Sequence, residues 1–468
     1  MNDDSPVQPH VTIWGAARYV TGSMHLLQSE RQKILLDCGL ILEKGAQERN
    51  RSFPFKPHQL DAIVLTHAHL DHCGNLPSLV KQGFRGPIYT TSATRDLLRP
   101  MLMDACHIQN LETSYYNNRR EKGDPWLPSL YDEGDIDQTI EMIEPVSFGR
   151  RTRIGPDVEM ELRDAGHILG SASAHLTMSQ GNSSRRLTYT GDLGRSSIPL
   201  LCPVSPLLPS DLIISEATYG GMFHETFAEM QAKLCHHVTS TIERGGKVLI
   251  PAFSLGRVQL VIYTLMQLIE AGRIEETPIY VDSPLAHQVL AVMQQHTNLL
   301  APSVRETIRK RAGFLHAPYV HYVTSTEESK DVMYDSTPSI IIASSGMGEG
   351  GRIIHHIKNS IDDPRCTVIL VSFQAPGSLG ARLLEPSPTI RISGRDWNKW
   401  AEVVVLRGFS GHADQAELLE LLQPQVEAGA HVVLVHGEEN NLSALQQVLN
   451  AVRAEAATIA ERGVSIPV

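Results

Sequence analysis

LTHAHLDHCG, residues 65–74, sets four ligand-type side chains, His67, His69, Asp71 and His72, within six positions, directly after the apolar run DAIVLT (61–66). In an extended chain His67 and His69, two apart, point the same way. Asp71 and His72 follow as the backbone turns into the helix predicted for LPSLVKQG (76–83), where they can reach a second ion beside the first. Imidazoles and carboxylates without thiolates suit zinc or another borderline divalent cation at an open catalytic site.

Further ligands come from a pattern repeated along the chain. Seven short runs rich in Val, Ile and Leu end on, or just before, a His, Asp or Glu. KILLD (33–37) ends on Asp37, DAIVLT runs into His67, and VEMELRDAG (158–166) reaches His167. RRLTYTG (185–191) reaches Asp192, SDLIISE (210–216) ends on Glu216, AEVVVLRGFSG (401–411) reaches His412, and HVVLV (431–435) hands over to His436. Strand length and Gly or Asp borders mark these runs as strands whose loops converge on one edge of a sheet scaffold. His167 is expected to complete the histidine set of the first ion, Asp192 to bridge both ions, and His436 to serve the second. Asp37 is expected behind them, orienting a ligand or the metal-bound water.

At 468 residues the chain fits two domains, or one domain with a large insertion. The texture changes between about 221 and 405. Helical patterns such as FAEMQAKLCHHVTSTIERGG (227–246) alternate there with short strands such as KVLIPAF (247–253) and PSIIIAS (338–344). That alternation predicts a parallel sheet flanked by helices. The expected division is 1–220 for the first part of the metal domain, 221–405 for the inserted domain and 406–468 for the return. Residues 107–150 read as a polar, loop-rich segment (YYNNRREKGDPW, 115–126) followed by a helix (DIDQTIEMIEP, 135–145). The six cysteines show no C-x-x-C pair, which argues against a thiolate site and a disulfide framework. No run approaches the length of a membrane span and no export segment is read at the start, so a cytoplasmic protein is expected. A net charge of −11 argues against a broad basic face for nucleic acid and leaves room for a narrow channel.

The order LLDCG (35–39), HAHLDH (67–72), GHILGSAS (166–173) and YTGDLGR (189–195) resembles the metallo-β-lactamase superfamily. SEATYG (215–220), GFSGHAD (408–414) and LVHGE (434–438) add a likeness to its β-CASP nucleases, in the RNA-processing branch related to the cleavage and polyadenylation endonuclease. PAFSLGR (251–257), VDSPLA (281–286), ASSGMGEGGR (343–352) and GSLGARLL (377–384) extend it through the insertion. The resemblance implies an α/β fold, an αββα sandwich carrying a β-CASP domain. It also makes Glu216, His412 and His436 the branch's added motifs, and a histidine at the last position favours RNA over DNA.

The expected activity is therefore a ribonuclease cutting single-stranded RNA, internally or from the 5′ end. Its nucleophile is a hydroxide held by two zinc ions, with manganese as the alternative metal. Asp71 serves as ligand and catalytic carboxylate. His412, oriented by Glu216, protonates the leaving oxygen. The glycine-rich stretch with Ser345, Gly346, Met347 and Arg352 opens a helix and is a candidate phosphate cradle, with Arg257 a second basic candidate. A DNA nuclease is the nearest alternative. A small-molecule thioester hydrolase is more distant, because it needs neither the insertion nor His412. No membrane is involved, and the chain could pair as a homodimer.

Overall fold

Two seven-stranded sheets organise the part of the chain that carries the metal motifs. In the first, His10–Ile13, His25–Gln28, Lys33–Leu36, Ala62–Val64, Ile88–Thr90 and Ile143–Pro145 stand side by side, with Ser465–Pro467 outside the first of them. The second runs Ala457–Ile459, His431–Val435, Leu212–Glu216, Ser183–Tyr189, Ala172–Gln180, Val158–Asp164 and Thr152–Arg153. The computed structural model describes residues 8–43, 48–121, 123–181, 183–310, 313, 315–375 and 377–468.

Alternation along each strand explains the layering. Leu212 and Ile214 join Val11, Leu27, Val64 and Leu187 in one buried core shared by the two sheets. Ile213, Val432 and Leu434 point the other way, against Leu418, Leu422, Leu442 and Leu445 of the helices Gln415–Glu427 and Glu439–Val452. The helix Glu133–Glu141 contacts both Leu76–Lys81 and Ser92–Arg119, and Ser92–Arg119 also contacts the strand Ile143–Pro145 of the first sheet. This unit comprises Met1–Ser196, Pro203–Phe223 and His412–Val468.

The second unit, Ser197–Cys202 with His224–Gly411, is built on a six-stranded sheet. Its order is Val320–Tyr322, Ile279–Asp282, Ser339–Ala343, Lys247–Pro251, Thr367–Leu370 and Glu402–Val405, and every pairing is parallel. Its strands read as nearly continuous apolar runs (KVLIP, SIIIA, TVIL), as expected when helices cover both faces. Among the described residues no helix is long and apolar enough to cross a membrane.

Two expectations are corrected. The polar segment from 107 to 119 is not loop: one 28-residue helix, Ser92–Arg119, runs through YYNNR. Leu97, Leu98, Met101, Leu102, Ala105 and Cys106 bury one side of it, and its far end needs no apolar face to stay helical. There the Arg119 guanidinium lies 3.6 Å from the Tyr115 ring centre, an i,i+4 pair. Asn117 exchanges two hydrogen bonds with the backbone of Leu127, at 2.8 and 3.0 Å. The second correction concerns the run before His412. Glu402–Val405 belongs to the parallel sheet of the second unit, so it lies in neither of the two sheets that carry the other six.

Replacing Asn117 with Ala removes both bonds and is expected to weaken that helix end by about 1–2 kcal/mol. Limited proteolysis should then cut between residues 117 and 130 faster than in the parent, with the rest of the chain unaffected.

Candidate metal centre

After Ala62–Val64 the chain stays extended through His67 to His69, whose backbone (φ −69°, ψ 145°) caps the short helix Leu70–Cys73. That single turn carries Asp71 and His72 away from His67 and His69, which splits the motif into two groups. Close packing enforces the turn: a Cβ on Gly39 would sit 1.7 Å from the Asp71 carbonyl oxygen. Asp37 (φ 57°) and His436 (φ 50°) leave their strands in the left-handed region, a conformation uncommon outside glycine and concentrated at functional positions.

Two donor sets result. In the first, His67 Nε2 lies 3.2 Å from His69 Nδ1, which lies 3.1 Å from His167 Nε2. In the second, His436 Nε2 is 3.3 Å from Asp71 Oδ2, and the His72 and His436 rings are 5.1 Å apart. Asp192 spans them. Its Oδ2 is 3.4 Å from His67 Nε2 and 3.5 Å from His167 Nε2, while its Oδ1 is 3.2 Å from His72 Nε2 and 3.6 Å from His436 Nε2. Asp192 is 2% exposed and its Oδ1 makes no hydrogen bond.

Oxygens behind the rings decide which nitrogen faces inward. Thr66 donates its hydroxyl to Asp37 at 2.7 Å, so it accepts from His67 Nδ1–H at 3.0 Å. Asp37 accepts from His72 Nδ1–H at 2.7 Å, from Tyr189 at 2.8 Å and from the Thr66 amide at 2.8 Å. Thr218 donates to the His436 carbonyl and accepts from His436 Nδ1–H at 2.9 Å. Each arrangement leaves Nε2 as a lone pair aimed inward. Thr66, Tyr189 and Thr218 had no mark in the sequence beyond lying beside a ligand motif.

The electrostatics fit cations in both sets. Burial holds His67 and His167 below the ordinary imidazole value and His69 down to about 3, which favours the neutral form that can ligate a metal. Burial also works against charge on His72 and His436, yet carboxylates override it: Asp192 and Asp37 lift His72 well up, and Asp192 and Asp71 raise His436. Burial alone would raise Asp192 and Asp71, but their histidine neighbours hold both below the usual carboxylate range. Ring nitrogens 3.1–3.2 Å apart can share a ring proton as a hydrogen bond or turn their lone pairs to a cation placed among them. Nitrogen and oxygen donors gathered this way, with one buried carboxylate oxygen unbonded, can hold divalent metal ions. Two groups able to do so are His67, His69, His167 with Asp192, and Asp71, His72 with His436.

His412 stands over these sets, its ring centre 4.4 Å from that of His167. Its Nδ1 lies 3.0 Å from Glu216 Oε2 and 4.0 Å from Asp192 Oδ2. Glu216 is fully buried and also accepts from the Leu193 amide. The helix that follows is capped by Asp414 and not by His412.

The cradle residues lie in the other unit, and one is corrected. Arg352 Nη1 donates to Asp282 at 2.7 Å, and Nη2 donates to the Thr324 carbonyl at 3.0 Å. Its guanidinium braces the sheet and is not presented to a phosphate. The amides of Ser345 and Gly348 bond within the loop, to Gly350 and Ser345 carbonyls. Gly346 packs on the Phe253 ring, and Met347 accepts from the Gly380 amide. Ser345 Oγ is buried without a hydrogen bond, and Arg257 opens the helix Arg257–Glu270.

Three family descriptions match successive parts of the sequence. They are the metallo-beta-lactamase superfamily over residues 18–221, the Beta-Casp domain over 258–383, and the Zn-dependent metallo-hydrolase RNA specificity domain over 400–462. The chain is 36% identical over 460 residues to ribonuclease TTHA0252 of Thermus thermophilus, covering 98% of this chain and 100% of that one. It is 32% identical to transcription termination factor FttA of Methanosarcina mazei, covering 92% of this chain and 67% of that one. A solved structure of a protein of unknown function from Enterococcus faecalis V583 shares the fold, with a TM-score of 0.54 at 14% identity over 99% of this chain and 100% of that one.

Because Asp192 turns one oxygen to each donor set, Asp192→Ala is expected to lose both metal ions, and two full equivalents by elemental analysis would contradict this. Asp37→Asn leaves a single acceptor oxygen where four donors now converge. It should bind metal about 10- to 100-fold more weakly in chelator competition.

Proposed function

This chain belongs to the metallo-β-lactamase superfamily as a β-CASP metallo-hydrolase, and we propose that it hydrolyses phosphodiester bonds of single-stranded RNA. The observation that carries the reading is His412, held by Glu216 beside Asp192, a proton donor that bare ester hydrolysis on this fold does not need. Residues 400–462, which include His412 and His436, match an RNA specificity domain, and a relative similar over its full length is named a ribonuclease. Both favour RNA over DNA.

We assign His67, His69, His167 and Asp192 to one ion and Asp71, His72, His436 and Asp192 to the other. The imidazole-rich donor set suggests zinc, with manganese the alternative. The chemistry such a pair supplies is a water made acidic near neutral pH and relief of charge at the phosphoryl oxygens. The remaining work falls to the chain. Asp37, Thr66 and Thr218 keep the histidine lone pairs turned inward. Glu216 accepts from His412 Nδ1–H, so Nε2 is the atom that carries a proton to the leaving 3′ oxygen. The products are then a 5′-phosphate and a 3′-hydroxyl. In the second unit, which we take as the insertion, the unbonded Ser345 hydroxyl with Gly346, Met347 and Arg257 remains the proposed contact for the RNA backbone.

His412→Ala is expected to keep its metal while RNA turnover falls about 10²- to 10⁴-fold, measured with end-labelled strands. Undiminished turnover would end the proton-donor role. Fragments carrying 2′,3′-cyclic ends would contradict attack by water.

A further inference from the structure

Residues 192–196 form a strap between the metal sets and His412. The strap begins at Asp192. Leu193 donates its amide to Glu216 and accepts from the Ala413 amide at 2.8 Å. Gly194 pairs with His412 in an isolated antiparallel bridge, and its amide donates to the Ala165 carbonyl at 2.7 Å. On its other side the strap lies against the His167 loop so tightly that a Cβ on Gly194 would sit 1.9 Å from the Gly166 carbonyl oxygen. The chain first leaves this unit after Ser196, and it returns for the last time at His412. The Gly194–His412 bridge and the Ala413–Leu193 bond make these two segments neighbours.

One carboxylate ties them together. Glu417 Oε1 accepts from the Ser196 amide at 3.1 Å, and Oε2 accepts from the Asp414 amide at 3.2 Å. Arg195, its side chain 4% exposed, brings Nε to 3.6 Å from Glu417 Oε2. Asp414 returns the bond, accepting from the Glu417 amide at 3.1 Å to cap the helix Gln415–Glu427. A capping box needs only the Asp414–Glu417 exchange. The hydrogen bond from Ser196 and the ion pair with Arg195 go beyond it, and they anchor the departing strap to the returning one.

We propose that Glu417, with Arg195, is a positioning residue that sets His412 at its working distance from Asp192. The inference rests on His412 being the proton donor. A displaced proton donor harms only those reactions whose leaving group needs a proton. RNA expels a 3′ alkoxide, which needs one, whereas a nitrophenyl phosphodiester expels a nitrophenolate, which leaves unprotonated.

The test compares both substrates for the metal-loaded parent, His412→Ala and Glu417→Gln. Gln keeps one acceptor for Ser196 but turns an NH₂ group toward the Asp414 amide and Arg195. Glu417→Gln is expected to keep two metal ions and lose about 10- to 100-fold in kcat on RNA with little change in KM. Its turnover of bis(p-nitrophenyl) phosphate should fall less than about threefold, and adding it to His412→Ala should cost nothing further on RNA. Equal losses on both substrates, or additive losses in the double variant, would overturn the proposal. If His412→Ala itself shows no difference between the substrates, the proton-donor reading fails first. Should Glu417→Gln not fold, Arg195→Lys leaves the helix cap intact and carries the same comparison.

Discussion

Convergence of buried imidazole and carboxylate donors on Asp192 is the constraint on which this site depends. Three imidazole nitrogens meet within 3.2 Å contacts on one side of Asp192, and two more face its other oxygen together with Asp71. Positive charge at its centre satisfies such a cluster best. The carboxylates around His72 and His436 favour positive charge there, and divalent cations would supply it. Asp192 can face both sets because it stands just past a strand end, on a turn between the two.

The surrounding architecture keeps these groups from relaxing. The shared core between the sheets and the helices outside them fix the strand ends, and Asp37 and His436 hold left-handed backbone conformations there. Behind the ligands, Asp37 collects four hydrogen bonds from Thr66, His72 and Tyr189, so one fully buried carboxylate links three strand ends. Glu216 does the same for His412 and the strap. The geometry of the site is thus held mostly by groups that would never touch a substrate.

Much of this was legible in the sequence, for a definite reason. Strand runs end abruptly, and a His or Asp past such an end has no packing role to explain it, so LTHAHLDHCG, His167, Asp192 and His436 stood out. What was missed has physical causes as well. YYNNR looked like loop because an exposed helix end carries no apolar stripe; its pairing of Tyr115 with Arg119 is an i,i+4 contact that hydropathy does not register. The run Glu402–Val405 reads like the other strands in sequence, and only its pairing partner assigns it to the second unit. Arg352 followed a glycine-rich turn as a phosphate ligand would, but nothing in the spacing disclosed Asp282 across the sheet. Glu417 did carry a signal, the D-x-x-E spacing of a capping box, whose second use becomes visible only once Ser196 is placed beside it.

The central claim is that two cations share Asp192. The most direct measurement is anomalous X-ray scattering at the metal edge from crystals of the metal-loaded protein. The account predicts two peaks, one among His67, His69 and His167 and one among Asp71, His72 and His436, with a carboxylate oxygen of Asp192 against each. A single peak, or a pair of which only one touches Asp192, would contradict it.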